Sequence, residues 1–392
     1  MPQAACPFCF RKVDTSKLAY QCTGHGSKPC EKSEDELRVQ MTGNHAPSFP
    51  TFAAPTERGK QPICPKCGGV AKRRACPACH TAVPIGFVDS DSPMIGLIGS
   101  KGSGKTVLMT VLVKQLRETI GKQFMAAIKL TTDNPDGLGG LEAYKAHRED
   151  ALFERGTLPS KTDWANAGNR RIPLVLEWQS TRTRMFGKTV PQSTILSFLD
   201  TAGEQLNSLE DTYSLDYIAA CDSLIIALDP FAIPGARAKL NLPERAIQST
   251  DGTPLHVIEH VTQMLRVELG VKNNKRIKLP VAVAFTKMDA FYRMMDRGNS
   301  IMNPPGRLPI YQEADGQAVH EQMRALLHDW NASDIDIHMS LNFDNFRFFG
   351  VSALGAEPDY AQETTAPGGI QPHRVEDPLL WILSKEGTIK AQ

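Results

Sequence analysis

Two sets of residues in this sequence have types and spacings that could do chemistry, and they occupy different parts of the chain. The first is a set of thiols. Eight of the nine cysteines precede residue 80, mostly as Cys-x-x-Cys pairs, while Cys221 stands alone. The stretch CPKCGGVAKRRACPAC supplies Cys64, Cys67, Cys76 and Cys79 from two such pairs. Four soft ligands that a short hairpin can gather suit a tetrahedral zinc ion. Gly68 and Gly69 follow the first pair, where the chain must turn sharply around a metal. The earlier set, Cys6, Cys9, Cys22 and Cys30, is less regular: seven residues separate its last two members, and His25 between them is a possible substitute ligand. The expectation there is a second zinc site with a distorted second knuckle; a weaker or partly oxidised site is the alternative. In a cytosolic chain, cysteine pairs of this kind are usually metal ligands. Cys221, at the end of an apolar helical pattern, reads as a small buried residue.

The second set binds anions. Gly99-x4-Gly104-Lys105-Thr106, within GSKGSGKTV, is the phosphate-binding loop pattern. Glycines allow backbone N–H groups to converge on phosphate oxygens at a helix N-terminus, where the helix dipole favours negative charge. The expected contacts come from Gly99, Ser100, Lys101, Gly102, Ser103, Gly104, Lys105, Thr106 and Val107. Lys105 should reach the outer phosphates, and the Thr106 hydroxyl should ligate Mg²⁺. In SFLDTAGEQ, Asp200 ends an apolar run and can hold the same Mg²⁺ through water. Gly203, three residues on, can offer its N–H to a γ-phosphate.

A third strand-end motif concerns the base. In VAVAFTKMD, Asp289 can accept two hydrogen bonds from the N1–H and exocyclic amine of guanine, a donor pair that adenine lacks. Lys287 can lay its aliphatic stem against base and ribose, and Thr286 can brace the loop. In VSALG, the backbone of Ser352, Ala353 and Leu354 can meet the guanine O6. The set predicts GTP or GDP with Mg²⁺, alongside two Zn²⁺ ions.

These residues need elements to hold them. Apolar runs at 94–99, 172–179, 194–200, 223–229, 281–286 and 346–352 read as strands, the second and third as a hairpin. Helical patterns fall at 105–119, 209–220, 255–269, 315–330 and 377–385. The alternation predicts an α/β fold with a mostly parallel six-stranded sheet and helices on both faces. Small zinc-ribbon modules precede it. The expected organisation is a ribbon-like module at 1–31, a polar then Pro-rich linker at 32–61, a zinc ribbon at 62–91, and a nucleotide domain at 92–390. Residues 121–171 show no clear element, and 231–253 and 290–313 are long excursions of the kind that are usually functional or mobile.

Composition limits the partners. The chain has 392 residues, 41% hydrophobic and 22% charged, with net charge +1. That is an ordinary globular balance without a broad nucleic-acid footprint. Residues 1–92 hold twelve Lys/Arg against eight Asp/Glu, a surplus that eight thiolates around two zinc ions cancel. Protein docking is therefore favoured over nucleic-acid reading, although Lys72, Arg73 and Arg74 lie between the cysteine pairs. No apolar run approaches the ~20 residues of a membrane helix, and MPQAACPFCF lacks a signal-peptide pattern; the expected location is cytoplasmic.

With its phosphate loop, Asp-x-x-Gly, Thr-Lys-x-Asp and Ser-Ala motifs in this order, the chain resembles P-loop GTPases of the Ras-like and translation-factor class over residues 92–390. Its zinc ribbons and long insertions make it most similar to the bacterial double-GTPase proteins, in which two GTPases are thought to act together. The resemblance implies a mixed sheet with one antiparallel strand, Mg²⁺-GTP binding, and switching between GTP and GDP states. It also implies a switch threonine that ligates Mg²⁺: Thr162 is the choice, with Thr157, Thr131 and Thr132 as alternatives. The residue that positions water should follow Gly203. Here Glu204 stands there, with Gln205 next; a carboxylate beside the γ-phosphate implies slow intrinsic hydrolysis that a partner would stimulate. Arg155, Arg170 and Arg171 are candidate arginine fingers, though more simply solvated charges. Thr286 departs from the family's Asn.

Three functions remain open at this level: a GTPase switch that uses its ribbons for protein docking, a GTP-binding adaptor with negligible turnover, and a nucleic-acid-associated NTPase. A protein partner, conceivably a second GTPase, fits the first two. An adenine-specific ATPase is disfavoured by Asp289. The helical His256, Glu259 and His260 invert the usual zinc-protease spacing and read as an exposed helix face.

Overall fold

The computed structural model describes residues 3–55, 60–87, 93–99, 102–131, 144–158, 173–183, 189–198, 212–243, 246, 253–296 and 298–392. The strands are β1 (Gln3–Ala5), β2 (Lys12–Asp14), β3 (Ala19–Gln21), β4 (Thr51–Phe52), β5 (Arg73–Ala75), β6 (Met94–Gly99), β7 (Ala127–Thr131), β8 (Leu174–Thr183), β9 (Thr189–Phe198), β10 (Ser223–Leu228), β11 (Val281–Phe285) and β12 (Phe346–Gly350). Seven of them form a mixed, mostly parallel sheet in the order β12-β11-β10-β6-β9-β8-β7. The fold is α/β, preceded by two four-cysteine clusters. The expected six-stranded sheet gains β7, which pairs antiparallel with β8. The expected hairpin is β8–β9, also antiparallel.

The chain divides into two units. One comprises Met1–Met94, Ala127–Lys145 and Lys161–Leu199. Its small sheet has the order β4-β3-β5, and its cysteine-rich core packs Phe8, Val13, Leu18, Val83 and Phe87 against Val175 of β8 and Ile195 of β9. Polar groups fix this seat. The buried Glu177 carboxylate accepts from the Gly86 N–H at 2.9 Å and the Ser193 hydroxyl at 2.7 Å. The Ser197 hydroxyl donates to the Pro7 carbonyl at 3.1 Å.

The stretch expected to be a linker, 32–61, is structured over much of its length. Helix α1 (Glu36–Thr42) begins at Asp35, whose carboxylate accepts from the Arg38 N–H, and ends at Gly43 with φ 67°. These are ordinary cap chemistries. Arg38 is buried and donates to the Ala46 carbonyl at 3.0 Å, and Thr51–Phe52 pairs with β3. The chain's polar composition hid the capping signal in SEDELR.

The other unit comprises Ile95–Ala126, Ala146–Ser160 and Asp200–Gln392. Its strands β6, β10, β11 and β12 run parallel. They are near-continuous apolar runs buried along their length, as expected of parallel strands covered on both faces. Around them lie α2 (Lys105–Gln115), α3 (Thr212–Ala220), α4 (Pro254–Glu268), α5 (Glu313–Asp329), α6 (Ser333–Asn342) and α7 (Asp377–Lys385). A π-helical stretch, Lys145–Glu154, occupies part of the span expected to lack elements. It is held to α2 by Lys114 over the Phe153 ring at 4.8 Å, and an ion pair joins Glu149 to Arg117 just beyond that helix. No helix among the described residues is long and apolar enough to cross a membrane.

Strand β12 is a sheet edge, and its outward N–H groups need partners. The buried His320 of α5 supplies one: its Nδ1 accepts from the Phe348 N–H at 3.0 Å, and its ring stacks on Phe348 at 5.4 Å. Burial, with help from Arg347 and Arg324, lowers its pKa to about 4. A depressed folded pKa contributes stability that is present above the unfolded value and lost as pH falls toward the folded one. Between pH 6.5 and 4.5 the protein should therefore lose ~1–3 kcal/mol through this group. In urea titrations across that window, His320→Asn should show a shallower loss than the wild type.

Candidate functional site

The eight early cysteines form two groups, and within each the sulfurs lie within 4.8 Å of one another. The grouping is Cys6, Cys9, Cys76 and Cys79 in one and Cys22, Cys30, Cys64 and Cys67 in the other. All eight expected cysteines fall into these two groups, but the sequential ribbons expected at 1–31 and 62–91 are not formed. Instead the outermost pairs in sequence meet, and the inner pairs meet inside them.

Strand pairing dictates this nesting. β3 runs into Cys22 and β5 runs into Cys76, and the two strands are antiparallel, with Gln21 opposite Arg73 and Ala19 opposite Ala75. Cys22 thus emerges beside the chain that enters β5, which carries Cys64 and Cys67. Cys76 emerges beside the chain that enters β3, which carries Cys6 and Cys9. Pair spacing alone could not reveal a pairing of strands fifty residues apart in sequence.

Three of the cysteine pairs share one knuckle geometry. The Cys6, Cys64 and Cys76 N–H groups reach Arg11, Gly69 and Thr81 carbonyls, and their carbonyls receive Phe10, Gly68 and His80 N–H groups. Phe10, Gly68 and His80 all have positive φ, between 55° and 73°. The fourth arm, Cys22 to Cys30, is irregular, as its spacing implied, and the Gly24 N–H donates to Cys22 Sγ at 3.3 Å. His25 is outside the ligand set. Gly26 is needed here, because a Cβ would fall 2.3 Å from the Cys67 carbonyl oxygen.

The donors fit zinc. All nine cysteines are free thiols. Sulfurs at the corners of a tetrahedron around an ion with ~2.3 Å bonds stand about 3.8 Å apart. The observed separations are 3.8 Å for Cys6–Cys79, 3.9 Å for Cys9–Cys76 and 3.5 Å for Cys22–Cys67. Burial raises the Cys6 thiol well above its usual pKa while hydrogen bonds from the neighbouring thiols lower that of Cys76; a bound cation would hold all four as thiolates.

Three of the segments expected to bind a nucleotide, residues 99–107, 286–289 and 352–354, follow parallel strands within the second unit. Strands β6, β10, β11 and β12 are paired so that Gly99 lies opposite Ala227, Leu228 opposite Phe285, and Phe285 opposite Gly350. Their exits therefore share one sheet edge. At the first exit, Gly102 and Gly104 take φ 75° and 71°. A Cβ on Gly99 would stand 2.6 Å from the Ala227 carbonyl oxygen. The Ser103 hydroxyl is buried without a hydrogen-bond partner among the described residues, and Lys105 opens α2 with its side chain buried. Thr106 and Val107 follow on the first turn, half-buried. An orphaned hydroxyl beside a loop of left-handed glycines fits an anion.

At the third exit, the Thr286 hydroxyl donates to the Ser103 carbonyl at 2.7 Å, with the Leu228 carbonyl at 3.1 Å. This ties the loop 286–289 directly to the loop 99–107. Lys287 is left-handed at φ 55°. Its Nζ donates to Asp229 Oδ2 at 2.6 Å, its charge lies 4.9 Å from the Phe231 ring, and its Cε would stand 3.9 Å from a Cβ on Gly104. Asp289 accepts at Oδ1 from the Ser352 hydroxyl at 2.5 Å, and that hydroxyl accepts from the Gly355 N–H at 2.8 Å. Burial raises the Asp289 pKa, partly offset by the Ser352 hydrogen bond. Ala353 and Leu354 follow in the same loop, the Leu354 carbonyl accepting from the Gln371 N–H at 2.9 Å.

Sequence reasoning missed Asp229 and Phe231. The signal was available, since ALDPF is a third strand-end carboxylate. Ser100, Lys101, Thr132, Thr162, Arg170, Arg171, Asp200, Gly203, Glu204 and Gln205 lie outside the described residues. Arg155 is exposed. His256 and Glu259 are exposed and belong to no metal group among the described residues. Cys221 is buried, with its thiol on the Tyr217 carbonyl at 3.2 Å.

No family model matches the chain. It is 26% identical over 415 residues to the "Putative ESX-1 scaffolding and assembly protein SaeC" of Mycolicibacterium smegmatis, covering 98% of this chain and 99% of that protein. Among solved structures it is distantly similar to Sup35 complexed with GDP, with TM-score 0.25 and 11% identity over 69% of this chain. It is likewise similar to the LeoA bacterial dynamin GTPase from ETEC, with TM-score 0.28 and 11% identity over 76% of this chain. In both cases it spans only 39% of the other chain.

The nested grouping has a direct test in metal content after dialysis against a chelator. Cys9→Ala with Cys76→Ala removes two ligands from one site and should leave about one zinc per chain. Cys9→Ala with Cys22→Ala should weaken both sites. Sequential ribbons would exchange the two outcomes.

Proposed function

We propose that this chain is a guanine-nucleotide-binding protein with a zinc-stapled docking module. The observation that carries the reading is the hydrogen bond from Thr286 to the Ser103 carbonyl. It joins a phosphate loop to a strand-end carboxylate, Asp289, that a serine holds in place. Gly99 to Val107 would hold the phosphates, with Lys105 on the outer ones. Thr106, together with Asp200 and Thr162, would hold Mg²⁺. Bound Mg²⁺ would neutralise charge that develops on the phosphates during hydrolysis. Asp289 would accept from the guanine amines, the stem of Lys287 would lie along the base, and Ser352 to Leu354 would meet its O6 edge.

GTP hydrolysis to GDP is the activity this arrangement would serve, as a switch in which Gly203 senses the γ-phosphate. Glu204 beside Gln205 supports a slow intrinsic rate. The zinc module, whose formal charge is near zero once metallated, suits a protein partner better than nucleic acid. A second reading, an adaptor that binds GTP without appreciable turnover, draws support from the scaffolding and assembly role named for the Mycolicibacterium smegmatis relative.

The test is a calorimetric titration of the zinc-loaded, Mg²⁺-supplemented protein with GTP and with ATP. The wild type should prefer GTP. Asp289→Asn should lose roughly 10–100-fold in GTP affinity, because a charge-assisted pair of hydrogen bonds is removed. Because burial raises the Asp289 pKa, its acceptor form is lost at higher pH than for a free aspartate. GTP affinity should therefore weaken on acidification in the wild type and much less in Asp289→Asn. Equal binding of the two purines by the wild type would refute the base assignment, and single-turnover rates would separate switch from adaptor.

A further inference from the structure

The two groups of four thiols are not equally enclosed. Cys6, Cys9, Cys76 and Cys79 are each no more than 2% exposed. Phe8, Leu18, Val83 and Phe87 pack around them, and Val175 of β8 and Ile195 of β9 close that core. Both arms of this group are regular knuckles. The Cys22, Cys30, Cys64 and Cys67 group has a thinner coat. The side chains packed against it are Phe49 and Phe52, both only partly buried. Of the nine thiols in the chain, Cys30 alone is not fully buried.

Cys30 also ends a loosely tied arm. The Cys22 N–H does not close a knuckle on its own loop but reaches the Pro50 carbonyl at 2.9 Å. The loop from Cys22 to Cys30 is joined to the opposite knuckle through the Cys67 carbonyl, which receives the Ser27 hydroxyl and the Lys28 N–H, each at 3.4 Å. Bonds of that length lie beyond the usual range for either donor. Ser27, Lys28 and Pro29 on one side of Cys30, and Glu31 and Lys32 on the other, are exposed. The Cys30 sulfur nevertheless stays within 4.8 Å of the other three, and Cys22 and Cys67 stand 3.5 Å apart. A sulfur open to solvent, a loop able to yield, and neighbouring thiols a short movement away from a ~2 Å sulfur–sulfur bond are what a metal site needs to become a disulfide.

We propose that Cys30 is an oxidation site for hydrogen peroxide, and that its group releases zinc as a disulfide forms there while the Cys6, Cys9, Cys76 and Cys79 group keeps its own ion. The inference rests on the fit of both groups to zinc and is independent of the nucleotide reading. The Cys30 sulfur attacks one peroxide oxygen, the O–O bond breaks, and the departing hydroxide takes a proton to become water. Cys30 is then a sulfenic acid. A neighbouring thiolate of the group attacks its sulfur, the sulfur–sulfur bond forms, and the hydroxyl leaves with a proton as a second water. Two thiolates have given two electrons to one peroxide. A zinc ion left with two thiolates of its four is no longer held. Residues 23–32 and 60–70 are thereby loosened, while the packing of the other group on β8 and β9 is retained.

The experiment exposes the full, zinc-loaded chain to hydrogen peroxide beside pyridylazoresorcinol, a chelator that colours on binding released zinc, with disulfides mapped by peptide mass spectrometry. The expected result, against a peroxide-free control, is early loss of about one of two zinc ions per chain. It should coincide with a disulfide that contains Cys30, and a thiol reductant with added zinc should restore the ion. Cys30→His keeps a zinc ligand but removes the oxidisable sulfur. It should hold both ions and lose the early release, whereas Cys9→His in the other group should release as the wild type does. If Cys30→His loads only one ion, brief alkylation of the zinc-loaded wild type with N-ethylmaleimide carries the comparison, and Cys30 should be labelled before any other cysteine. Simultaneous release of both ions, a first disulfide within the Cys6, Cys9, Cys76 and Cys79 group, early release that persists in Cys30→His, or alkylation that starts at another thiol would each overturn the proposal.

Discussion

The parallel register of β6, β10, β11 and β12 is the constraint on which the candidate site depends. The strands pair without a bulge over their last residues, so Gly99, Leu228, Phe285 and Gly350 end together. Whatever follows each strand is delivered to the same edge: the phosphate loop, Asp229, Thr286 to Asp289, and Ser352. A slip of one residue would exchange the side chains on the two covered faces and carry Asp289 away from Ser352. The apolar runs that bury these strands on both sides are therefore what aims the polar loops. The Thr286 hydroxyl fixes the final spacing, because its 2.7 Å bond to Ser103 spans two loops that the sheet only brings near.

The amino-terminal unit solves a different problem by the same means. A chain of short strands, none longer than three residues from β1 to β5, has little core of its own. It relies on side chains packed against β8 and β9 and on two groups of four thiols. Nesting the groups has a mechanical consequence. Each group joins segments far apart in sequence, Cys9 to Cys76 and Cys22 to Cys67, so each closes a long loop. Closing long loops removes more freedom from the unfolded chain than closing two local hairpins would.

Much of this was legible in the sequence, and the exceptions have physical reasons. The parallel strands announced themselves as buried apolar runs, and the hairpin as two consecutive apolar runs. β7 did not, because AIKLT is a short edge strand whose apolar residues, Ile128 and Leu130, are too few to stand out beside a long unpatterned stretch. The eight clustered cysteines could be named from spacing, whereas their grouping depended on the β3–β5 pairing, a non-local fact. Among the site residues, those in Gly-Lys-Thr and Thr-Lys-x-Asp order were visible because local geometry demands those types. Asp229 was overlooked although it too ends an apolar strand, because its pairing with Lys287 depends on the parallel register of β10 and β11 rather than on spacing.

The pairing of Lys287 with Asp229 bears on how a base could be held. Asp229 is 2% exposed, and leaving a buried carboxylate without its cation costs about 3–5 kcal/mol. Lys287 is therefore anchored at its tip, its ammonium engaged by Asp229 at 2.6 Å. What it presents to the phosphate loop is its methylene stem, as the 3.9 Å approach of Cε to the Gly104 position shows. The left-handed backbone at Lys287 is what lets the side chain reach Asp229 while Asp289, two residues on, turns toward Ser352. In this loop the lysine stem is an apolar ledge set by a buried acid, and under the guanine-nucleotide reading proposed above the base edge would be left to Asp289.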